Sequence, residues 1–117
     1  MVTVYGIGNC DKCRAALKWF RQRDVTAVFH DLRSDGFPTQ AFKAWQRSLG
    51  IDALLNKRST TWRGLDAALR ASLDEANAAT LVADNPTLLK RPVVVAGSVV
   101  AIGYDEAKWA DMLGLGQ

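Results

Sequence analysis

Two cysteines separated by two residues, Cys10-Asp11-Lys12-Cys13, are the side chains whose type and spacing most directly imply chemistry in this sequence. A thiolate attacks disulfides and oxyanions, and a second thiol one helical turn away can close a disulfide with it. A chain of 117 residues buries about two thirds of the surface it exposes when unfolded, so it needs no disulfide or metal staple to hold a core. The pair is therefore free for reactive duty. Zinc is a weak alternative: a tetrahedral site takes four ligands, and the chain offers two cysteines and one histidine, His30. No metal is expected.

The elements around the pair assign the two thiols different roles. Val2 to Tyr5 is a β-branched and aromatic run that predicts a strand, with Gly6-Ile7-Gly8-Asn9 as the turn after it. From Cys13 to Arg23 the apolar residues Cys13, Ala16, Leu17 and Phe20 recur at i, i+3, i+4 and i+7, one face of a helix. Cys10 then stands at the helix start, where free N–H groups and the positive end of the helix dipole favour a thiolate. Lys12 and Arg14 add positive charge nearby, and Asp11 opposes them. Attack is expected from Cys10 and resolution from the inward-facing Cys13. Asn9, Lys12 and Arg14 are candidate substrate contacts beside the sulfur.

Val25 to Leu32 predicts a second strand, and two strands joined by a helix form a right-handed parallel βαβ unit. Residues 37–85 read as helical: Phe42, Trp45 and Leu49 mark a stripe ended by Gly50, and Ala/Leu-rich pieces follow near Asp66 to Leu73 and Asp74 to Ala83. Asn56 to Arg63 is a polar loop between them. After Pro86 and a short turn at Leu88-Leu89, Val93 to Ala96 and Val99 to Ile102 flank Gly97-Ser98, the signature of a two-residue hairpin. Asp105 caps a last helix whose apolar residues are Ala107, Trp109, Met112 and Leu113. This order predicts one α/β domain over 1–117, a thioredoxin-like fold of the glutaredoxin type, with a mixed four-stranded sheet and a helical insertion over about 37–85.

Pro92 has two readings. A proline that opens a strand is tolerated because no ladder N–H is lost there. Alternatively it is a cis proline that starts the third strand beside the cysteine loop, which brings Arg91 next to Cys10 to pair with a carboxylate or oxyanion. His30 reads as a packing or surface residue on the second strand, and the four tryptophans as helix and loop anchors.

Composition narrows the setting. The chain is 49% hydrophobic and 23% charged, and its net charge of +3 is spread without a basic block, which argues against direct nucleic-acid binding. No apolar run reaches the 18 to 20 or so residues of a membrane helix, and Met1 to Gly6 lacks the pattern of a signal peptide. A cytoplasmic protein with no membrane partner is expected, in a compartment where paired cysteines are redox-active or ligating.

Four stretches together, Val4 to Asp11, Phe29-His30-Asp31, Leu54-Leu55-Asn56 leading to Thr60-Thr61-Trp62-Arg63, and Leu89-Lys90-Arg91-Pro92, resemble the arsenate-reductase-related (ArsC-like) family, most closely its YffB branch. The resemblance spans essentially the whole chain. It implies a thioredoxin-like fold with a helical insertion, Cys10 as nucleophile, a small oxyanion or disulfide as substrate, and glutathione or glutaredoxin as the reducing partner, with no bound cofactor. Of the three arginines with which glutaredoxin-coupled arsenate reductases hold the oxyanion, Arg91 matches one, while Asn56 and Gly103 stand at the other two positions. Arg58 and Arg63 are candidates to substitute. The second cysteine makes Cys10-x-x-Cys13-Arg14 similar to the Spx regulators, which implies an alternative: a redox switch that binds RNA polymerase through its α subunit.

Overall fold

A computed structural model describes residues 1–115 of the chain. They fall into two compact units, one formed by Met1–Gly36 together with the chain from Arg91 onward, the other by Phe37–Lys90.

The first unit is built on a four-stranded sheet. Its strands are β1 (Val2–Gly6), β2 (Ala27–Asp31), β3 (Val93–Ala96) and β4 (Val99–Ile102), in the order β2-β1-β3-β4. β1 runs parallel to β2 and antiparallel to β3, and β3 is antiparallel to β4, so the sheet is mixed. The parallel pair is joined by helix α1 (Asp11–Gln22), as a parallel connection requires. The antiparallel pair turns at Gly97, whose φ of 60° suits a glycine. This is the thioredoxin-like arrangement, with a helix after the first strand and a hairpin followed by a helix at the end.

The register Val4↔Val94↔Ala101 puts these residues on one face of the sheet, where they are buried with Val2, Ala16, Trp19, Phe20, Trp109 and Ala110. Helices α1 and α7 (Glu106–Met112) therefore cover the same face. Their aromatic rings meet, Trp19 edge to face with Trp109 at 5.4 Å and Phe20 tilted against Trp109 at 5.3 Å between centroids. Asp105 caps α7, its Oδ1 accepting the Lys108 N–H at 3.0 Å. The helical stripes differ in detail from the sequence pattern. Trp19 is buried where Leu17 is only half-buried, and Ala110 is buried where Ala107 is exposed. Periodicity fixes the spacing of a stripe, and the Trp19–Trp109 contact fixes which residues lie at its centre.

The second unit holds α2 (Thr39–Leu49), α3 (Ile51–Leu54), α4 (Thr60–Arg63), α5 (Ala67–Ala71), α6 (Ala78–Asp84) and a 3-10 turn at Pro86–Leu88. It extends past residue 85 because Asn56 N–H donates to Leu88 O at 2.7 Å and Lys90 N–H to Leu54 O at 2.8 Å. Along α2, Phe42 and Trp45 are buried as the stripe predicts. Leu49, however, is 41% exposed, and Gln46 is buried instead, its Nε2 donating to Glu75 O at 3.0 Å. The polar stretch 56–63 is not all loop: Ser59 caps α4 by accepting the Trp62 N–H at 3.1 Å. Among the described residues no helix is long and apolar enough to cross a membrane.

Candidate active site

Strand β1 ends at Gly6, and a tight turn follows in which the Cys10 N–H closes onto Ile7 O at 3.2 Å. Cys10 is the N-cap of α1, in extended backbone at φ −106° and ψ 120°. Its carbonyl accepts the Arg14 N–H at 3.0 Å, the first bond of the helix. The sequence places Cys10 here because the turn glycines end the strand and a helix-period pattern begins just after it.

The two thiols are unequal. Cys10 is half-buried and Cys13 is 1% exposed, and both are free. Burial acts to raise the Cys10 thiol. The Cys13 amide, the Cys13 thiol, the Arg91 charge and the Lys12 amide outweigh it, and the net shift is downward from the ordinary 9.0. Cys13 moves the other way. Burial, with the neighbouring Cys10 sulfur, pushes it up to about 12, against opposing influences from Ile7 and Arg91. Of the two thiols Cys10 is therefore the more readily ionised, and Cys13 keeps its proton at neutral pH.

Arg91 is the cation whose charge reaches both sulfurs. It is half-buried, and its Nε, out of contact with solvent, has no hydrogen-bond partner among the described residues. The Arg91–Pro92 peptide is cis, and Pro92 is buried at the start of β3, so of the two readings of this proline the structure adopts the cis one. Pro92 O accepts the Gly103 N–H at 2.8 Å, and Gly103 holds a φ of 82°, a backbone that disfavours an arginine there.

Lys12 and Arg14 are exposed. Arg14 is turned to other tasks: it pairs with Asp11, and its Nη1 donates to Gly8 O at 3.2 Å. Lys12 acts on Cys10 through its amide. Asn9 is an exposed turn residue. Asn56 and Arg58 belong to the helical unit, where Asn56 Oδ1 accepts the Arg58 N–H at 3.2 Å and closes a local turn, and Arg58 is exposed. Arg63, in the same unit, donates from Nη2 to Arg58 O at 2.9 Å. His30 stacks on Tyr5 at 5.0 Å, and its Nε2 is 2.7 Å from Gly36 O, a packing position.

Two residues that matter here have no individual role legible in the sequence. The Cys13 Sγ occupies the place a Cβ on Gly6 would need, so Gly6 shapes the seat of the buried thiol. Asp31, at the end of β2, accepts the Gly8 N–H with Oδ2 at 2.9 Å and so reaches the cysteine turn from the neighbouring strand. Asp31 with Arg33 and Ser34 after it is an Asx-turn signal, but the Gly8 contact has no local signature.

Comparison with known proteins is consistent across the chain. It is 42% identical over 109 residues to an uncharacterized protein of Haemophilus influenzae, covering 93% of this chain and 96% of that one. The global transcriptional regulator Spx of Staphylococcus aureus is 27% identical over 108 residues, covering 91% and 82%. Among solved structures, a YffB protein superposes with a TM-score of 0.87 at 33% identity over 95% of this chain and 97% of the other. An arsenate reductase (ArsC) related protein from Brucella melitensis superposes with a TM-score of 0.73 at 30% identity over 97% and 95%. Since the sequence pattern of the ArsC family also matches residues 5–112, the protein is a member of the ArsC family.

Proposed function

We propose that the protein is a thiol-dependent reductase of the ArsC type, acting in the reducing cytoplasm through Cys10. The observation that carries this reading is the lowered Cys10 thiol at the start of α1 with the Arg91 charge acting on it. The Cys10 thiolate attacks one sulfur of a disulfide or glutathione mixed disulfide, the other sulfur departs as a thiol after taking a proton, and Cys10 is left in a mixed disulfide. Glutathione then attacks the outer sulfur of that bond and releases Cys10 as the thiolate, or Cys13 attacks the Cys10 sulfur, expels the substrate thiol and leaves a Cys10–Cys13 disulfide. Two glutathione thiols reduce that disulfide, with glutathione disulfide as the product. Two electrons pass from the reducing thiols to the substrate disulfide. The guanidinium of the half-buried Arg91, whose charge acts on Cys10, is a cation suited to a substrate carboxylate or oxyanion. No metal-binding cluster of three or more His, Cys, Asp or Glu occurs among the described residues, and the steps above need none.

The test is turnover of a glutathione mixed disulfide, and separately of arsenate, with glutathione as reductant. Wild type is expected to exceed a Cys10→Ser control on at least one substrate, and equality on all of them overturns the reading. A second reading draws on the Spx relative and the adjacent Cys10 and Cys13 thiols: a redox-sensing protein that binds RNA polymerase through the C-terminal domain of its α subunit. Failure of that polymerase domain to bind under both oxidising and reducing conditions excludes it.

A further inference from the structure

Asp31 ends the edge strand β2, and its carboxylate is committed to backbone amides. Oδ2 accepts the Gly8 N–H at 2.9 Å, and Oδ1 accepts those of Arg33 at 2.8 Å and Ser34 at 3.0 Å. These amides hold its carboxyl below the ordinary carboxylate range, so it is charged at neutral pH. The residue is itself braced: its own N–H donates to Asp35 Oδ2 at 2.8 Å, and Asp35 N–H donates to Asp31 O at 3.0 Å.

Gly8 sits in the turn that delivers Cys10. Its carbonyl takes the Arg14 Nη1 bond at 3.2 Å, so both faces of this peptide segment are tied, one to β2 and one to α1. A Cβ on Gly8 would come within 3.3 Å of Asp31 Oδ2, tighter than an ordinary contact, so the close approach of amide and carboxylate uses the missing side chain. Asp31 is not among the groups whose charge or hydrogen bonds shift the Cys10 thiol. Its hydrogen bond to Gly8 ties it to the turn that carries that sulfur.

We propose that Asp31 is a positioning residue for Cys10: a charged acceptor on the neighbouring strand that fixes the Gly8 end of the turn and thereby seats the Cys10 sulfur at the start of α1. The proposal rests on the reading of Cys10 as the attacking thiol. Its test does not, because it needs no disulfide substrate.

Alkylation of Cys10 by iodoacetamide would be followed against pH in the full chain for wild type, Asp31→Ala and Asp31→Asn, with the labelled cysteine located by peptide mass spectrometry. Asp31→Ala is expected to raise the apparent Cys10 pKa by about one unit, or about tenfold less thiolate at a pH below both values. Asp31→Asn keeps one acceptor oxygen but turns a donor NH2 toward the other backbone N–H groups, so it is expected to raise the Cys10 pKa less than Asp31→Ala does. Loss of a negative charge alone would lower the Cys10 pKa in both variants. A rise in Asp31→Ala, and a smaller one in Asp31→Asn, is therefore a positioning effect and not an effect of charge. An unchanged or lowered Cys10 pKa in Asp31→Ala overturns the proposal, even if the melting temperature falls. Should that variant not fold, Gly8→Ala crowds the same carboxylate: the same upward shift is expected, and an unchanged profile overturns the proposal. A wild-type Cys10 that alkylates readily but turns over no substrate would count against the reductase reading and leave this one standing.

Discussion

The Cys13 thiol is seated on Gly6: a Cβ added at Gly6 would overlap Cys13 Sγ and approach Cys13 Cβ to 3.1 Å and Phe29 Cε1 to 3.3 Å. Gly6 is buried and pairs in register with Asp31 on β2, so the strand cannot swing away from the helix that carries Cys13 without breaking the sheet. A buried thiol at position 13 and a glycine at position 6 are one packing solution.

Gly6→Ala is accordingly expected to destabilise the protein by about 2 kcal/mol, the usual cost of overpacking a tight site. Removing the sulfur opens the space, so Cys13→Ala in the Gly6→Ala background should recover much of the loss, a coupling of about 1 kcal/mol or more in a double-mutant cycle. Chemical denaturation of the four proteins measures it. Strictly additive effects would show that the two residues do not share this space.

The pH dependence of Cys10 follows from the groups around it. Its thiol lies below the ordinary 9.0, so the reactive thiolate persists to lower pH than in an ordinary cysteine and fades only as pH falls through the lowered value. Arg91 favours the charged form, so Arg91→Ala should raise the Cys10 pKa and slow its alkylation at pH 7 by about three- to tenfold, discounting a contact that is partly exposed. Arg91→Lys should retain most of the rate. Cys13, at about 12, stays protonated at neutral pH and should remain unlabelled. A rate–pH profile with label mapping tests all three points, and an Arg91→Ala profile that coincides with wild type removes Arg91 from the site.

The sheet unit depends on the rings that join α1 to α7. Trp109 is fully buried, with Phe20 at 5.3 Å, Trp19 at 5.4 Å and Tyr104 at 4.8 Å between ring centroids. Trp109→Ala should cost about 3 to 5 kcal/mol through lost burial and the cavity left behind. A loss under about 1 kcal/mol in denaturant unfolding would mean that α7 adds little to this core.

Local rules written over a few adjacent residues were enough for much of this protein. The strand-turn-helix around Cys10, the hairpin turning at Gly97-Ser98 and the cap at Asp105 all stand where the sequence put them, because turn glycines, β-branched runs and capping side chains act within one or two turns of chain. Tertiary structure decided what those elements meet. It chose Trp19 over Leu17 as the centre of the α1 stripe and Gln46 over Leu49 on α2, since burial depends on the element packed opposite and not on spacing alone. It also sorted the charges near Cys10. Lys12 and Arg14 are close to it in sequence, yet Arg14 is occupied by Asp11 and Gly8, and the cation that acts on the sulfur is Arg91, delivered by the far end of the chain. Coulomb energy falls with distance through space, so the charge that tunes this thiol was fixed only when β3 paired with β1, while the Cys13 and Lys12 amides that also lower it are local to the helix start.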